Sequence, residues 1–328
     1  MTGSFIAGVG TALPSARVAS AELEAALGLE DGWIRSRTGI ESRRIAGPGD
    51  SVSSLGLEAA RAALGAARIA PEDVDYVIVA TSTPDYALPA AASLLQASLG
   101  CDGGAFDLNA GCSGFLLGLA QADALVRSGA ASNVLVAGVD LMSRITDFSD
   151  PKTGILFGDG AGAAVVCAAD QPSLGPFVLH SDGSRPELLS AARDGGTISM
   201  AGREVYRRAV AEMSAAILEA VAAAGVTLDD VDLVVAHQAN ARILSAVAER
   251  LGVASDVVFT NIARYGNTSA ASIPLALHEA EQTGALAGGD VVVVTAFGAG
   301  FVWGAGLARW VAPKTPVLAG QGVGNAVV

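Results

Sequence analysis

The chain repeats itself, and that constrains its fold more than any other feature. Asp73-Val74-Asp75-Tyr76-Val77-Ile78-Val79-Ala80 returns as Asp230-Val231-Asp232-Leu233-Val234-Val235-Ala236. Each copy follows an Ala-rich helical stretch, Leu57 to Ala67 and Met213 to Gly225. A second pair keeps the same order: Phe157-Gly158-Asp159-Gly160-Ala161-Gly162 and Phe297-Gly298-Ala299-Gly300, each ahead of an apolar strand. Val/Ala-rich strands resemble one another by chance, but two matched blocks in one order indicate duplication. The length, 328 residues, suits one fold built from two similar halves, or two ordinary domains.

Within each half, apolar strands alternate with helices: Tyr76–Thr81, Ala105–Asn109 and Asn133–Asp140, then Leu233–His237 and Val291–Thr295. Unbroken Val/Ile/Leu runs mark strands covered on both faces, so the chain is expected to be an α/β layered protein. The segment Ser113 to Ser128 reads as a helix apolar on nearly all sides, with Arg127 in its last turn and Gly129 closing it, and so belongs in the middle of the molecule.

Composition narrows the function. Hydrophobic residues make up 51% and charged residues 16%, which excludes global disorder. The formal net charge of −13 argues against a nucleic-acid or anionic-membrane partner, because phosphate binding needs a dominant basic face. Three Cys form no disulfide scaffold and point to free thiols in a reducing compartment, hence the cytoplasm. The Met1–Phe5 segment has no basic region and no long apolar run, so no signal peptide is expected. The uncharged stretch Val291 to Ala308 approaches membrane-spanning length, but Gly298, Gly300, Gly304 and Gly306 make it a strand, a turn and a second strand.

Cys112 falls between a strand ending near Asn109 and the apolar helix, which places a thiol at a helix N-terminus. Unpaired N–H groups and the helix dipole there favour the thiolate, and a backbone N–H beside the sulfur can hold an oxyanion. The residue alone also fits a small buried hydrophobe. Cys101 and Cys167 lack that setting and read as packing residues. His237 ends a strand, where open α/β sheets place their ligands. Of the other two His, His180 is expected in a loop-like region and His278 on a polar helical face, both structural. Asn267 lies in a loop before a helix opening near Ser272-Ile273-Pro274, where Asn is commonly a turn or cap residue.

Other motifs carry nothing. Gly8-Val9-Gly10, after a short strand, lacks the third Gly and the later acid of a dinucleotide fingerprint. Gly158 to Gly162 has no following Gly-Lys-Ser/Thr, and Gly111-Cys112-Ser113-Gly114 has the wrong spacing for a hydrolase elbow, so Ser113 is not the nucleophile. No His/Cys/carboxylate cluster has metal-ligand spacing.

From about Phe5 to Trp310 the sequence closely resembles β-ketoacyl-acyl-carrier-protein synthase III, a thiolase-fold condensing enzyme. The resemblance rests on Asp31-Gly32-Trp33-Ile34-Arg35-Ser36-Arg37-Thr38-Gly39-Ile40, Asp107-Leu108-Asn109-Ala110-Gly111-Cys112-Ser113-Gly114-Phe115 and Phe157 to Ala163. It continues through His237-Gln238-Ala239-Asn240, Gly266-Asn267-Thr268-Ser269-Ala270-Ala271-Ser272 and Ala296-Phe297-Gly298. It implies a thiolase-like αβαβα sandwich of two halves, residues 1–170 with the nucleophile and 171–312 with His and Asn. The Gly- and Pro-containing end, 313–328, is expected to fray.

The resemblance also implies a reaction. Cys112 would take an acyl group from acyl-CoA; malonyl-acyl carrier protein would then lose CO2, and its enolate would attack the acyl-enzyme. His237 and Asn267 would donate hydrogen bonds to the thioester oxygen as it becomes an enolate. The N–H groups of Cys112 and Ala299 would form a second oxyanion hole, and losing one such donor typically costs about 3–4 kcal/mol. Phe297 would face the departing carboxylate. Trp33 and Arg37 match CoA-contacting positions, and Arg242, with Arg207 and Arg208, matches a basic patch for the acidic carrier protein. Leu88 falls where some members project a partner-subunit side chain into the acyl pocket, so a homodimer is implied. CoA and phosphopantetheine enter as substrates, and no resident cofactor or metal is implied.

Two departures bear on this. Near Pro151-Lys152 many members carry an Arg that helps hold CoA, and the stretch Arg185 to Met200 is short; with Leu88 this suggests a primer pocket wider than acetyl requires. The competing expectation is acyl transfer to a hydroxyl or amine without condensation, against which Asn267 argues, since a carboxylate there would favour it. A degradative thiolase would need a second catalytic Cys beyond Cys167, and the sequence has none.

Overall fold

The computed structural model describes residues 3–192 and 195–311, so the end segment expected to fray lies outside the described residues. Nine strands form two sheets. The first contains β1 (Gly3–Ala12), β2 (Tyr76–Ala80), β3 (Gly104–Leu108), β4 (Asn133–Leu141) and β5 (Asp159–Ala169), in the order β1-β5-β4-β2-β3. The second contains β6 (Leu174–Ser181), β7 (Leu233–Ala236), β8 (Val291–Gly298) and β9 (Val302–Arg309), in the order β7-β8-β9-β6.

Read from the opposite edge, the second sheet reproduces the first. β6-β9-β8-β7 corresponds to β1-β5-β4-β2, with β2∥β4 and β7∥β8 the parallel pairs and the other junctions antiparallel. The counterpart of β3 is reduced to one parallel bridge, Val234 to Val258. The repeated Asp-Val-Asp blocks are thus the entries to β2 and β7. The Phe-Gly blocks straddle the start of β5 and the turn between β8 and β9.

Helices cover both faces of each sheet, which explains the unbroken apolar strands. α1 (Val52–Ala67) packs outside the first sheet, and α3 (Gly202–Ala223) with α4 (Ala241–Leu251) outside the second. Between the sheets lie α2 (Gly114–Arg127) and α5 (Ser272–Gln282). Their Phe115, Leu116, Leu119, Ile273 and Leu277 share one core with Ile78, Val136, Val235 and Val292. Truncating one such fully buried Phe or Leu to Ala costs about 2–5 kcal/mol.

Three sequence expectations need correction. α2 is covered on all sides only along its first two turns; beyond them Gln121, Ala124 and Arg127 reach the surface while Ala122 and Val126 stay in the core and buried Asp123 accepts a 2.7 Å bond from Ser4 Oγ. Gly8 and Gly10 do not follow a short strand but lie inside β1, where a Cβ would stand 2.4 Å from Ala67 N and 2.2 Å from Ala63 N of α1. They are glycine so that helix and strand can touch. His180 is in β6 rather than a loop, stacked 5.7 Å from Trp303 and 2.8 Å from Glu219.

Candidate active site

Cys112 occupies a single 3₁₀ turn, Gly111–Ser113, between β3 and α2. Gly111 supplies the positive φ of 54° that the turn needs. Ser113 is fully buried and its Oγ donates to Val302 O (2.7 Å), tying the turn to the second half. Gly298 ends β8 directly against it, where a Cβ would lie 2.8 Å from Cys112 N and 2.9 Å from Ser113 N. A Cβ on Gly111 would be 3.1 Å from Ala299 N. Two glycines therefore bring the amides of Cys112 and Ala299 onto facing segments.

His237 is the first residue past β7; its N–H donates to Thr295 O (2.8 Å), continuing the parallel ladder. Its Nδ1 lies 2.7 Å from Ser272 Oγ, at the start of α5. The Gln238 N–H donates to that same oxygen at 3.4 Å. With the Ser272 hydroxyl donating to Nδ1, the ring carries its proton on Nε2, the nitrogen left for the cavity. Burial pushes the imidazole down to about 4, so it is neutral at physiological pH.

Asn267 is clamped by the first Phe-Gly block: its N–H donates to Leu156 O (2.9 Å) and its carbonyl accepts from Gly158 N–H (3.0 Å). Its Oδ1 accepts from Ser269 N–H (2.9 Å), so the carboxamide NH2 is the end available to donate.

Cys112, His237, Asn267, Phe297 and Ala299 line one cavity of about 870 Å³. Its apolar wall includes Met142, Ile155, Met213 and, from a short hairpin, Leu189 and Ile198. Phe297 is buried and packs on Phe301, ring centroids 4.7 Å apart.

The ionised thiol expected at the helix N-terminus is not the resting state. Cys112 opens into the cavity, but burial pushes it up to about 11, against a smaller opposing effect of the Ser269 hydroxyl. So desolvated, the sulfur rests as S–H. Cys101 and Cys167 are buried in the outer core, as expected of packing residues.

The basic residues divide. Arg37, Lys152, Arg203 and Arg242 are exposed and line the cavity, so they form its rim. Lys152 stands beside the position where an Arg seemed missing, and Arg203 was not anticipated. Arg242 also donates to Ser36 O (3.1 Å). Arg37 stacks 4.0 Å over Trp33, which itself does not line the cavity. Arg207 pairs with Glu204 (2.6 Å), and Arg208 with Asp182 (3.0 Å) and Glu212 (3.7 Å); neither lines the cavity. Leu88 is 87% exposed and takes no part in the pocket within one chain, because it projects outward. Among the described residues no three His, Cys, Asp or Glu are placed to hold a metal.

Two family models match, the 3-oxoacyl-[acyl-carrier-protein] synthase III model over residues 106–183 and its C-terminal model over 221–310. A β-ketoacyl-[acyl-carrier-protein] synthase III of Rhizorhabdus wittichii is 44% identical over 319 residues, 94% of this chain and 100% of the relative. The chain belongs to the β-ketoacyl-acyl-carrier-protein synthase III family. A second synthase III, from Erythrobacter litoralis, is 45% identical over 94% of this chain and 100% of its own. Among solved structures, the Aquifex aeolicus synthase III superposes with TM-score 0.91 at 44% identity, covering 94% of this chain and 100% of its own. The priming β-ketosynthase of the R1128 polyketide pathway gives TM-score 0.90 at 37% identity, covering 95% and 97%. The thiolase-like fold expected from the sequence is the observed one. The chain is an acyltransferase of the ketosynthase type, condensing an acyl-CoA with malonyl-acyl carrier protein to start fatty acid or polyketide chains. Transfer without condensation is not favoured.

Proposed function

We propose the following division of labour in the synthase. Cys112 attacks the acyl-CoA carbonyl, the N–H groups of Cys112 and Ala299 hold the oxyanion, and CoA leaves the acyl group on sulfur. The malonyl thioester then enters with its carbonyl oxygen toward His237 Nε2–H and Asn267 NH2. Carboxylate loss against the apolar face of Phe297 gives an enolate held by two neutral donors, neither acidic enough to quench the carbanion. The enolate carbon attacks the acyl carbonyl, a carbon–carbon bond forms, and Cys112 is released. The observation that supports this reading best is the meeting of Cys112, His237 and Asn267, from three distant segments, on one cavity.

The rim cations serve two polyanions. Arg37 and Lys152 suit the CoA phosphates, and Arg203 and Arg242 an acidic carrier protein, giving local positive charge on a chain of net −13. Arg207 and Arg208 are weaker docking elements, being committed to their own ion pairs. Trp33 would serve CoA by backing Arg37, or by stacking once Arg37 moves. Leu88 and Tyr86, 87% and 59% exposed, suit coverage by a second copy of the chain, which would form the homodimer and complete the acyl pocket. The substrates carry the thioester chemistry, so the mechanism calls for no resident cofactor, and free thiols suit a cytoplasmic enzyme.

The test is sequential. Incubation with a series of acyl-CoAs should add one acyl mass to Cys112, and malonyl-carrier protein should then release CO2 and a β-ketoacyl product. Acylation followed by ester formation with an added alcohol, and no CO2, would overturn condensation.

A further inference from the structure

Asp140, near the end of β4, is 0% exposed and has no part in the steps above. One carboxylate oxygen accepts from Ser82 N–H (2.7 Å), Thr81 Oγ1 (3.2 Å) and Thr83 Oγ1 (3.3 Å); the other accepts from Ala270 N–H (3.1 Å). The Ser269 hydroxyl, one residue before Ala270, also faces this carboxylate and favours its charged form. The same hydroxyl oxygen lies 3.5 Å from Cys112 Sγ. Ser269 is held at φ 51°, in the left-handed region that a non-glycine residue enters at a cost in strain, and such strain collects at functional sites.

Sulfur must lose a proton in order to attack, and His237 is poorly suited to take it, with its Nδ1 engaged by Ser272 and its ring neutral down to about pH 4. Resting on the assignment of Cys112 as nucleophile, we propose that Ser269 and Asp140 form a proton relay for its sulfur. As the S–C bond to the acyl carbon forms, the S–H proton passes to Ser269 Oγ and the Ser269 proton passes to the Asp140 carboxylate. When the C–S bond to CoA breaks, the proton returns along the relay to the departing thiolate, so acyl-CoA and Cys–SH give acyl-Cys and CoA–SH. One negative charge passes from the carboxylate, by way of the attacking sulfur, to the carbonyl oxygen, and the cavity never carries two. That is the economical route in a desolvated site where the Asp140 anion already raises the thiol.

The titratable groups facing Cys112 are Asp140 from β4 and, across the cavity, His237 from the end of β7. Asp140 itself meets the hydroxyl and N–H donors of Thr81, Ser82, Thr83, Ser269 and Ala270, and its charge acts on Cys112. The relay therefore makes a directional prediction. If Asp140 only repels the thiolate, Asp140→Asn must speed alkylation of Cys112; if it takes the proton, the same variant must slow it.

The experiment measures Cys112 alkylation by iodoacetamide, and acylation by acyl-CoA, on the full chain against pH. The wild type should alkylate at a nearly constant rate from about pH 6 to 8. Asp140→Asn should be about 100-fold slower at pH 7, its rate rising about tenfold per pH unit. Ser269→Gly, which tolerates the positive φ, should reproduce that profile with Asp140 intact, so misfolding of one variant leaves the other decisive. Rates equal to or above wild type in either variant overturn the relay. Iodoacetamide needs no substrate site, so wild-type Cys112 that alkylates but never acylates would sink the nucleophile assignment and leave the relay to its own result.

Discussion

His237 Nδ1 and Ser272 Oγ are 2.7 Å apart, and that contact fixes which ring nitrogen faces the cavity with a proton. In Ser272→Ala the ring loses its partner and both tautomers and several orientations become accessible. Condensation should fall about 10- to 100-fold while acylation of Cys112 is retained, because only the enolate step uses Nε2–H. Single-turnover acylation and malonyl-dependent CO2 release, measured separately, check this. A parallel loss of both would show that Ser272 merely supports the fold.

Asn267→Asp replaces a donor with an anion where negative charge develops. Losing one oxyanion donor costs about 3–4 kcal/mol, and the added repulsion deepens the loss. Acylation should persist and condensation should fall by at least about 100-fold. Unchanged CO2 release would remove Asn267 from its assigned role.

The His237 imidazole also makes stability depend on pH. Its folded pKa, about 4, lies below the ordinary 6.5, so between these values the unfolded chain binds a proton that the folded chain refuses. Stability contributed this way is complete above about pH 6.5 and is lost as pH falls toward 4, by about 3 kcal/mol in all. Asp140 and Asp159 are raised by burial and act in the opposite sense, favouring the folded state as pH falls. Denaturant midpoints from pH 7 to 4 should therefore fall less steeply in His237→Asn than in the wild type. Equal slopes would place the titration elsewhere.

The two pairs of repeated blocks were enough to read a duplication, because Asp75 and Asp232 each precede a buried parallel strand whose apolar run is visible in sequence, and the family resemblance supplied the two-half sandwich. The counterpart of β3 was not legible, since it survives only as a bridge at Val258. In the site, Cys112, His237 and Asn267 stand in motifs that carry chemistry wherever they fold. The protonation of Cys112 was misjudged because it depends on burial against the end of β8 and on the charge of Asp140, both distant in sequence, with the Ser269 hydroxyl opposing them. Asp140 reads as the polar end of an apolar strand, and Ser272 as a helix start; only their neighbours in space give them a role. Lys152 and Arg203 are ordinary surface cations until the cavity wall joins them.

Gly298→Ala tests the joint between the halves most sharply. A Cβ there would meet Cys112 N at 2.8 Å, Ser113 N at 2.9 Å and Ala110 O at 3.1 Å, all backbone atoms that cannot rotate away. The nucleophile turn or the end of β8 must shift, and either movement separates the amides of Cys112 and Ala299. Overpacking of this kind costs about 1–3 kcal/mol in stability. The acylation rate should fall more, by about 100-fold, because the oxyanion donors lose their aim. Thermal unfolding and the rate of the acyl mass increment, read on the same sample, separate the two effects. A variant destabilised yet acylating at the wild-type rate would mean that these amides do not hold the oxyanion.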